Sequence, residues 1–328
     1  MTAVKWAHKN LFSGVWNTIL TLAAIYLVAV TVPAIFDWMI FSAVWTGDSR
    51  AACLVPDAGA CWPFVTANLK QFIYGRYPDA ELWRVNLTFA LGLAGLVPIL
   101  IPSMPAKRWN LIYLVVAYPL IAIVLLAGDR PGLVGVETSL WGGLLVTLVV
   151  AITGIVVSLP LGVLLALGRR SEMPVIRMLS IGFIEFWRAV PLITVLFMAS
   201  VMLPLFLPEG VSFDNLLRCL IGVALFSSAY MAEVVRGGLQ AIPRGQYEAA
   251  RAVGMSYWQT MGQIILPQAL RHVIPGIVNT FDLLGQVRAQ LSDPTWIVPQ
   301  GATTGYVFAA LVFWVFCFGM SRYSVFME

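Results

Sequence analysis

The chain has 328 residues, 60% of them hydrophobic and only 11% Asp, Glu, Lys or Arg, with a net charge of +4. A soluble domain carries charge on roughly a quarter of its residues, so this composition excludes a water-facing globular surface, and the small positive excess forms no basic patch dense enough for nucleic acid. With a mean hydropathy of +0.86, the chain reads as an all-α, polytopic helical membrane protein, because only a helix or a closed barrel satisfies its backbone in hydrocarbon.

A crossing helix needs about 20 mostly apolar residues. The first candidate runs from about Thr18 to Phe41; nothing like a cleavage site follows its apolar run, so it reads as a span rather than a removed leader. The next are Asn86 to Ile101, Leu111 to Leu126, Leu144 to Leu167, Pro191 to Phe206 and Leu216 to Val234. A seventh begins near His272, and the last covers Tyr306 to Met320. Pro33, Pro98, Pro119, Pro160 and Pro191 lie in or beside these runs, as bundle kinks or as hinges.

Lys and Arg collect on the cytoplasmic side of spans. Lys5 and Lys9, Lys107 and Arg108, the group Arg169, Arg170 and Arg177, and the group Arg236, Arg244, Arg251 and Arg271 all fall on one side if the N-terminus is cytoplasmic. The opposite loops are mixed or acidic: Asp48 with Arg50, Asp129 with Arg130, Glu209 with Asp214. A large loop over 42–83 is then external. Residues 1–135 form an N-terminal accessory region and 136–328 a core carrying a cytoplasmic loop at 236–270.

Chemistry-bearing motifs are sparse. The histidines His8 and His272 have no metal-ligand spacing, and neither a phosphate-binding glycine loop nor a hydrolase elbow is present; no metal, bound cofactor or catalytic set is expected. Cys219 and Cys317 fall in spans as packing residues. Cys53 and Cys61 share the external loop, either as a disulfide or as two free thiols. Glu185 with Arg188, and Glu233 with Arg236, stand three apart and share helix faces. Arginines near a span end can snorkel. The shorter glutamates anchor interhelical contacts or line a path.

The stretch VVRGGLQAIPRGQYEAARAVGMSYWQTMGQIILPQALRHVIPG is too patterned for a linker. Helix formers fill Gln246 to Val253, Gly254 supplies a stop, and an amphipathic pattern resumes from Tyr257 to Leu266 until Pro267 breaks it. Two short helices about a glycine turn can dock in a groove on a soluble partner or simply form a surface loop. Small Ala249 and Ala250 permit close approach, and Glu248 and Arg251 offer charge.

Within that stretch, Glu248, Ala249, Ala250, Gly254, Ile264, Leu266 and Pro267 match the EAA loop of ATP-binding cassette importer permeases. FIEFWRAVPLITVLF and AYMAEVVRGGLQAIPRGQYEAA resemble the polar amino-acid subfamily. Nearly the whole chain, including SLWGGLLVTLVV, CWPFV, FIYGRYP and CFGMSRYS, is similar to the second, shorter permease of the general L-amino-acid importer of Gram-negative bacteria. The resemblance implies a multi-pass inner-membrane protein and a second permease as pair. It also implies ATPase subunits that use ATP and dock on the loop, and a periplasmic binding protein that delivers L-amino acids. A membrane-embedded enzyme or a non-transporting scaffold is the alternative.

The chain also departs from that family. After Phe281 a stretch is missing before Asp-Leu-Leu-Gly at Asp282 to Gly285. Arg271 to Phe281 covers roughly 16 Å of a core about 30 Å thick. Either a helix crosses over Gln268 to Val287 with Asp282 buried, or it stops partway and re-enters, leaving the C-terminus outside. The expectation is a distorted helix that still crosses, a cytoplasmic C-terminus, and weakened transport.

Overall fold

An apolar medium offers the backbone no hydrogen-bond partners, so each long apolar run closes its bonds within itself. The structure, a computed structural model, describes residues 3–101, 103–105, 107–128, 132–206, 208, 213–271 and 299–327. The expected seventh span near His272, the gap after Phe281, Asp282 and the loop charges Asp129, Arg130 and Glu209 lie outside them.

Helices account for all the regular elements of these residues, and no β-strand occurs among them. In chain order they are α1 (Ala3–Leu11), α2 (Val15–Phe36), α3 (Trp62–Ala67), α4 (Leu69–Tyr74), α5 (Leu82–Leu100), α6 (Lys107–Ile112), α7 (Tyr118–Ala127) and α8 (Gly143–Arg169). Then follow α9 (Pro174–Ala189), α10 (Leu192–Phe197), α11 (Leu203–Phe206), α12 (Asn215–Ala241), α13 (Arg244–Ala252), α14 (Tyr257–Gln259), α15 (Leu266–Arg271) and α16 (Gly301–Met327). Among the described residues, six helical stretches are long and apolar enough to cross a membrane: Val15–Phe41, Asp79–Ile99, Lys107–Ala127, Gly143–Arg169, Asn215–Ala241 and Gly301–Gly319. They overlie six of the expected spans. Pro174–Ala189 and Leu192–Phe206 are apolar enough to cross only as a pair, bent by 96°, the geometry of a broken span or of a re-entrant loop. The break is local chemistry: the ring of Pro191 disfavours helix at the residue before it, and Val190 is extended at φ −99°, ψ 130°.

Wide π-type turns join several helices. Those at Tyr113–Ala117, Met198–Met202 and Thr260–Ile265 each end two residues before a proline: Pro119, Pro204 and Pro267. Proline donates no N–H, and its ring crowds the carbonyl four residues back. A widened turn relieves both. At Pro204 the freed carbonyl belongs to Ser200, and Arg218 Nη1 donates to it at 2.8 Å and to the Ala199 carbonyl at 3.2 Å. The same device corrects one expectation. Pro267 does not end the amphipathic stretch: helix continues from Tyr257 through the π turn to Arg271.

By contact density the chain divides into Met1–Leu69 with Val287–Leu311, and Lys70–Gln286 with Val312–Glu328. In the first unit, α2 buries none of its residues and presents apolar side chains all round, as a lipid-facing helix does. Past it, the π turn Asp37–Phe41 leaves carbonyls open. Met39 O accepts from the Trp62 indole at 3.1 Å, and Trp38 O from the Ala60 amide at 2.8 Å. Here Cys53 and Cys61 form a disulfide, with Cα atoms 5.7 Å apart and both residues buried. The Cys61 amide donates to Thr304 Oγ1 at 3.0 Å.

In the second unit, the head of α5 is pinned by Arg84, which is fully buried. Its Nε reaches Glu81 at 3.0 Å, and its Nη2 donates to the Val134 carbonyl at 2.9 Å. Tyr77 beside it donates to the Leu126 carbonyl at 2.9 Å, and burial pushes its phenol above the usual pKa. The main core lies elsewhere in this unit. Small residues Gly154, Ser158, Gly162 and Ala166 are buried along α8, and a small-residue stripe lets membrane helices approach closely. Here α8 meets α12: a Cβ on Gly162 would stand 2.7 Å from Met231 Cβ and 3.1 Å from the Ala232 nitrogen.

Candidate functional site

Two features close to one another carry the chemistry. The first is the loop after α12. Proline again sets the boundary: Ile242 is extended before Pro243, and α13 starts behind it. Its end is built from backbone bonds, the Gly254 amide to Arg251 O at 2.9 Å and the Met255 amide to Ala250 O at 3.1 Å. That pattern requires a left-handed residue just past the helix, and Gly254 sits at φ +77°. The next helix starts at once with a capping box. Ser256 Oγ accepts from the Gln259 amide at 3.4 Å, and the Ser256 amide donates to Gln259 Oε1 at 2.9 Å. Stop and start signals meet within three residues, which fixes the angle between the two helices.

This element packs on the membrane helices through its apolar face. Met261, Ile265 and Ala269 are buried with Ala166 and Leu167 of α8, Ile184 of α9, and Ala232, Val235 and Leu239 of α12. Tyr247 ties it further: Arg170 Nη1 donates to its hydroxyl at 3.3 Å, and the hydroxyl donates to the Leu239 carbonyl at 3.5 Å. The motif residues divide by face. Ala250 is buried, while Glu248, Ala249, Gly254 and Pro267 are exposed, and Ile264 and Leu266 are half-buried. Of the two alanines, Ala249 faces outward and Ala250 inward. Val253 and Trp258 stand beside the outward set at 75% and 69% exposure, large apolar surface that a solvated loop has no reason to show. A cleft of about 890 Å³ opens against the α8–α9 turn, lined among others by Arg170, Glu172, Arg251, Tyr257 and Trp258.

The second feature is a charge network centred on Glu233 of α12. Its Oε1 lies 2.6 Å from Arg169 Nη1 at the end of α8, and its Oε2 lies 2.7 Å from Arg236 Nη2 and 3.8 Å from Arg188 Nη1 of α9. Arg169 Nη1 also donates to Glu185 Oε1 at 3.1 Å, and the Arg188 guanidinium sits 5.8 Å over the Tyr230 ring. The spacing of Glu233 and Arg236 leads to a direct pair. Glu185 instead reaches across to α8, and Arg188 to α12. From sequence alone Arg169 counts only as a loop charge. One signal does mark it: it continues the phase of Gly162 and Ala166 along the buried face of α8.

Apolar helices long enough to cross a membrane, with a helix–turn–helix loop packed on their ends, define a polytopic membrane protein. Residues 158–325, which hold both features, match the binding-protein-dependent transport system inner membrane component, and the chain belongs to that family. It is similar to the inner membrane amino-acid ABC transporter permease protein YhdY of Escherichia coli K12, with 50% identity over 99% of this chain and 92% of that one. It is also similar to the glutamate/glutamine/aspartate/asparagine transport system permease protein BztC of Rhodobacter capsulatus, at 39% identity over 99% and 93%. A solved amino acid ABC transporter with histidines is 27% identical over 55% of this chain and 89% of that one, with a TM-score of 0.47. The chain is thus a multi-pass inner-membrane permease subunit of an importer. It works with a binding protein and with ATPase partners, and is not itself an enzyme.

Proposed function

We propose that this permease carries L-amino acids inward, taking them from a periplasmic binding protein, and that the ATPase subunits dock on Glu248, Ala249, Arg251 and Gly254. The single observation behind the docking surface is the exposed face of the helix–turn–helix, rigid by its caps yet bearing uncovered Val253 and Trp258. The amino-acid reading is supported by the relatives' substrates as their names give them, with the acidic amino acids and their amides as the set to try first. A second, related permease completes the path, with 136–328 as the core of this chain and 1–135 as its accessory region. Lys and Arg distribution supports cytoplasmic termini and an external loop 42–83. The alignment to the Escherichia coli relative runs over 342 positions against 328 residues here. That relative therefore has residues without counterpart in this chain, in keeping with a stretch missing after Phe281.

The test is co-expression of the two permeases with the ATPase. Gly254→Trp should abolish co-purification of the ATPase while both permeases still insert; undiminished co-purification sinks the docking assignment. A C-terminal alkaline phosphatase fusion should be inactive, and an active one reverses the topology.

A further inference from the structure

The Glu233 network borders the same core that seats the docking loop. Its members are chain neighbours of the core residues: Ile184 precedes Glu185, Ala232 precedes Glu233, and Leu167 stands two before Arg169. The three helices joined are the ones against which Met261 and Ile265 pack. Both oxygens of Glu233 are engaged, by Arg169 on one and by Arg236 and Arg188 on the other, and its side chain is only 16% exposed. A carboxylate in such surroundings is costly unless paired, and separating it from its partners is more costly still. Sliding α8 or α9 along α12 would break these contacts, so the network makes the three helices one body at the base of the loop.

We propose that Glu233 is a positioning residue for transport. It holds α8, α9 and α12 as a single lever, so that displacement of the docking loop by the ATPase reaches the spans instead of being absorbed between helices. This rests on the docking reading above and adds the element that conveys the stroke.

The experiment uses the complete transporter, both permeases with the ATPase, in phospholipid vesicles with its binding protein and labelled L-glutamate. In Glu233→Gln, L-glutamate imported per ATP hydrolysed falls about tenfold, while ATPase content and basal hydrolysis stay within about twofold of the unmodified transporter, a coupling loss of ordinary allosteric size. Glu233→Asp keeps the charge and recovers part of the ratio. An unchanged ratio in Glu233→Gln overturns the proposal. If that variant fails to assemble because its three arginines repel, the double variant Arg169→Gln with Glu233→Gln decides: a normal ratio overturns the lever. Failure of that variant to assemble also overturns it, in favour of a purely structural role. Gly254→Trp run in parallel separates the two ideas. ATPase lost there, with a normal ratio in Glu233→Gln, removes the lever alone; ATPase retained there removes the docking surface and the lever with it.

Discussion

Arg169 Nη1 and Glu233 Oε1 lie 2.6 Å apart although 64 positions separate them in the chain. The pair closes the end of α8 onto α12 about two turns before α12 itself ends at Ala241. Above it the two helices touch through small residues, whose contacts are shallow and easily slid. A short charged contact at one end supplies what that smooth seam lacks, a fixed axial register.

The network should be asymmetric in stability. Arg169→Ala leaves Glu233 with two arginine partners, whereas Glu233→Ala leaves three cations facing one another with only Glu185 to offset them. Glu233→Ala should cost on the order of 1–3 kcal/mol, and Arg169→Ala clearly less. Thermal unfolding of the purified transporter in detergent measures both; equal losses would mean that the arginines do not converge on Glu233.

Gly254 should be sensitive to backbone conformation rather than to crowding. A Cβ there would meet no atom within 4 Å, yet φ is +77°. Alanine should therefore cost about 1–2 kcal/mol of loop order, and asparagine less, since Asn tolerates the left-handed region better. ATPase co-purification should fall in the order Gly, Asn, Ala. An alanine variant indistinguishable from the parent would show that the turn relaxes freely.

Gly162 is the opposite case, in which space decides. Valine there has to displace Met231 and push against the α12 backbone, since even a Cβ would stand 2.6 Å from Met231 Cγ. Overpacking of this kind costs typically 1–3 kcal/mol. A companion Met231→Ala change should recover part of the loss in a melting experiment, and no recovery would place the strain elsewhere.

The Cys53–Cys61 disulfide predicts a labelling pattern. Denatured without reduction, the chain should expose Cys219 and Cys317 alone to a thiol reagent, and all four of its cysteines after reduction. Four labelled sites before reduction would reject the bond. Closing so short a loop should stabilise the unit by roughly 2–3 kcal/mol, read as a lower melting temperature in Cys53→Ser with Cys61→Ser.

The sequence by itself determined the elements that depend on neighbouring residues. Apolar length marked the six described spans, because a helix in lipid satisfies its backbone without help from elsewhere in the chain. Gly254, with helix formers before it and an amphipathic pattern after it, marked the helix–turn–helix, because a glycine stop acts within one turn. Pro191 marked where the fifth span starts, because a proline drives the residue before it out of helix. The tertiary structure alone decided which face of each element is used. Ala249 and Ala250 are equivalent in composition, yet one is outside and one inside, because α13 lies on a core drawn from three other helices. Arg169 and Arg170 are adjacent and alike, yet one completes the Glu233 network and the other bonds Tyr247. Helical phase carries both on, and only the crossing of α8 with α12 sets which of them meets a carboxylate. Local spacing also put Glu185 beside Arg188, but its carboxylate reaches α8 instead. Pairing between helices depends on their distance and rotation, and those are fixed by packing across the whole bundle.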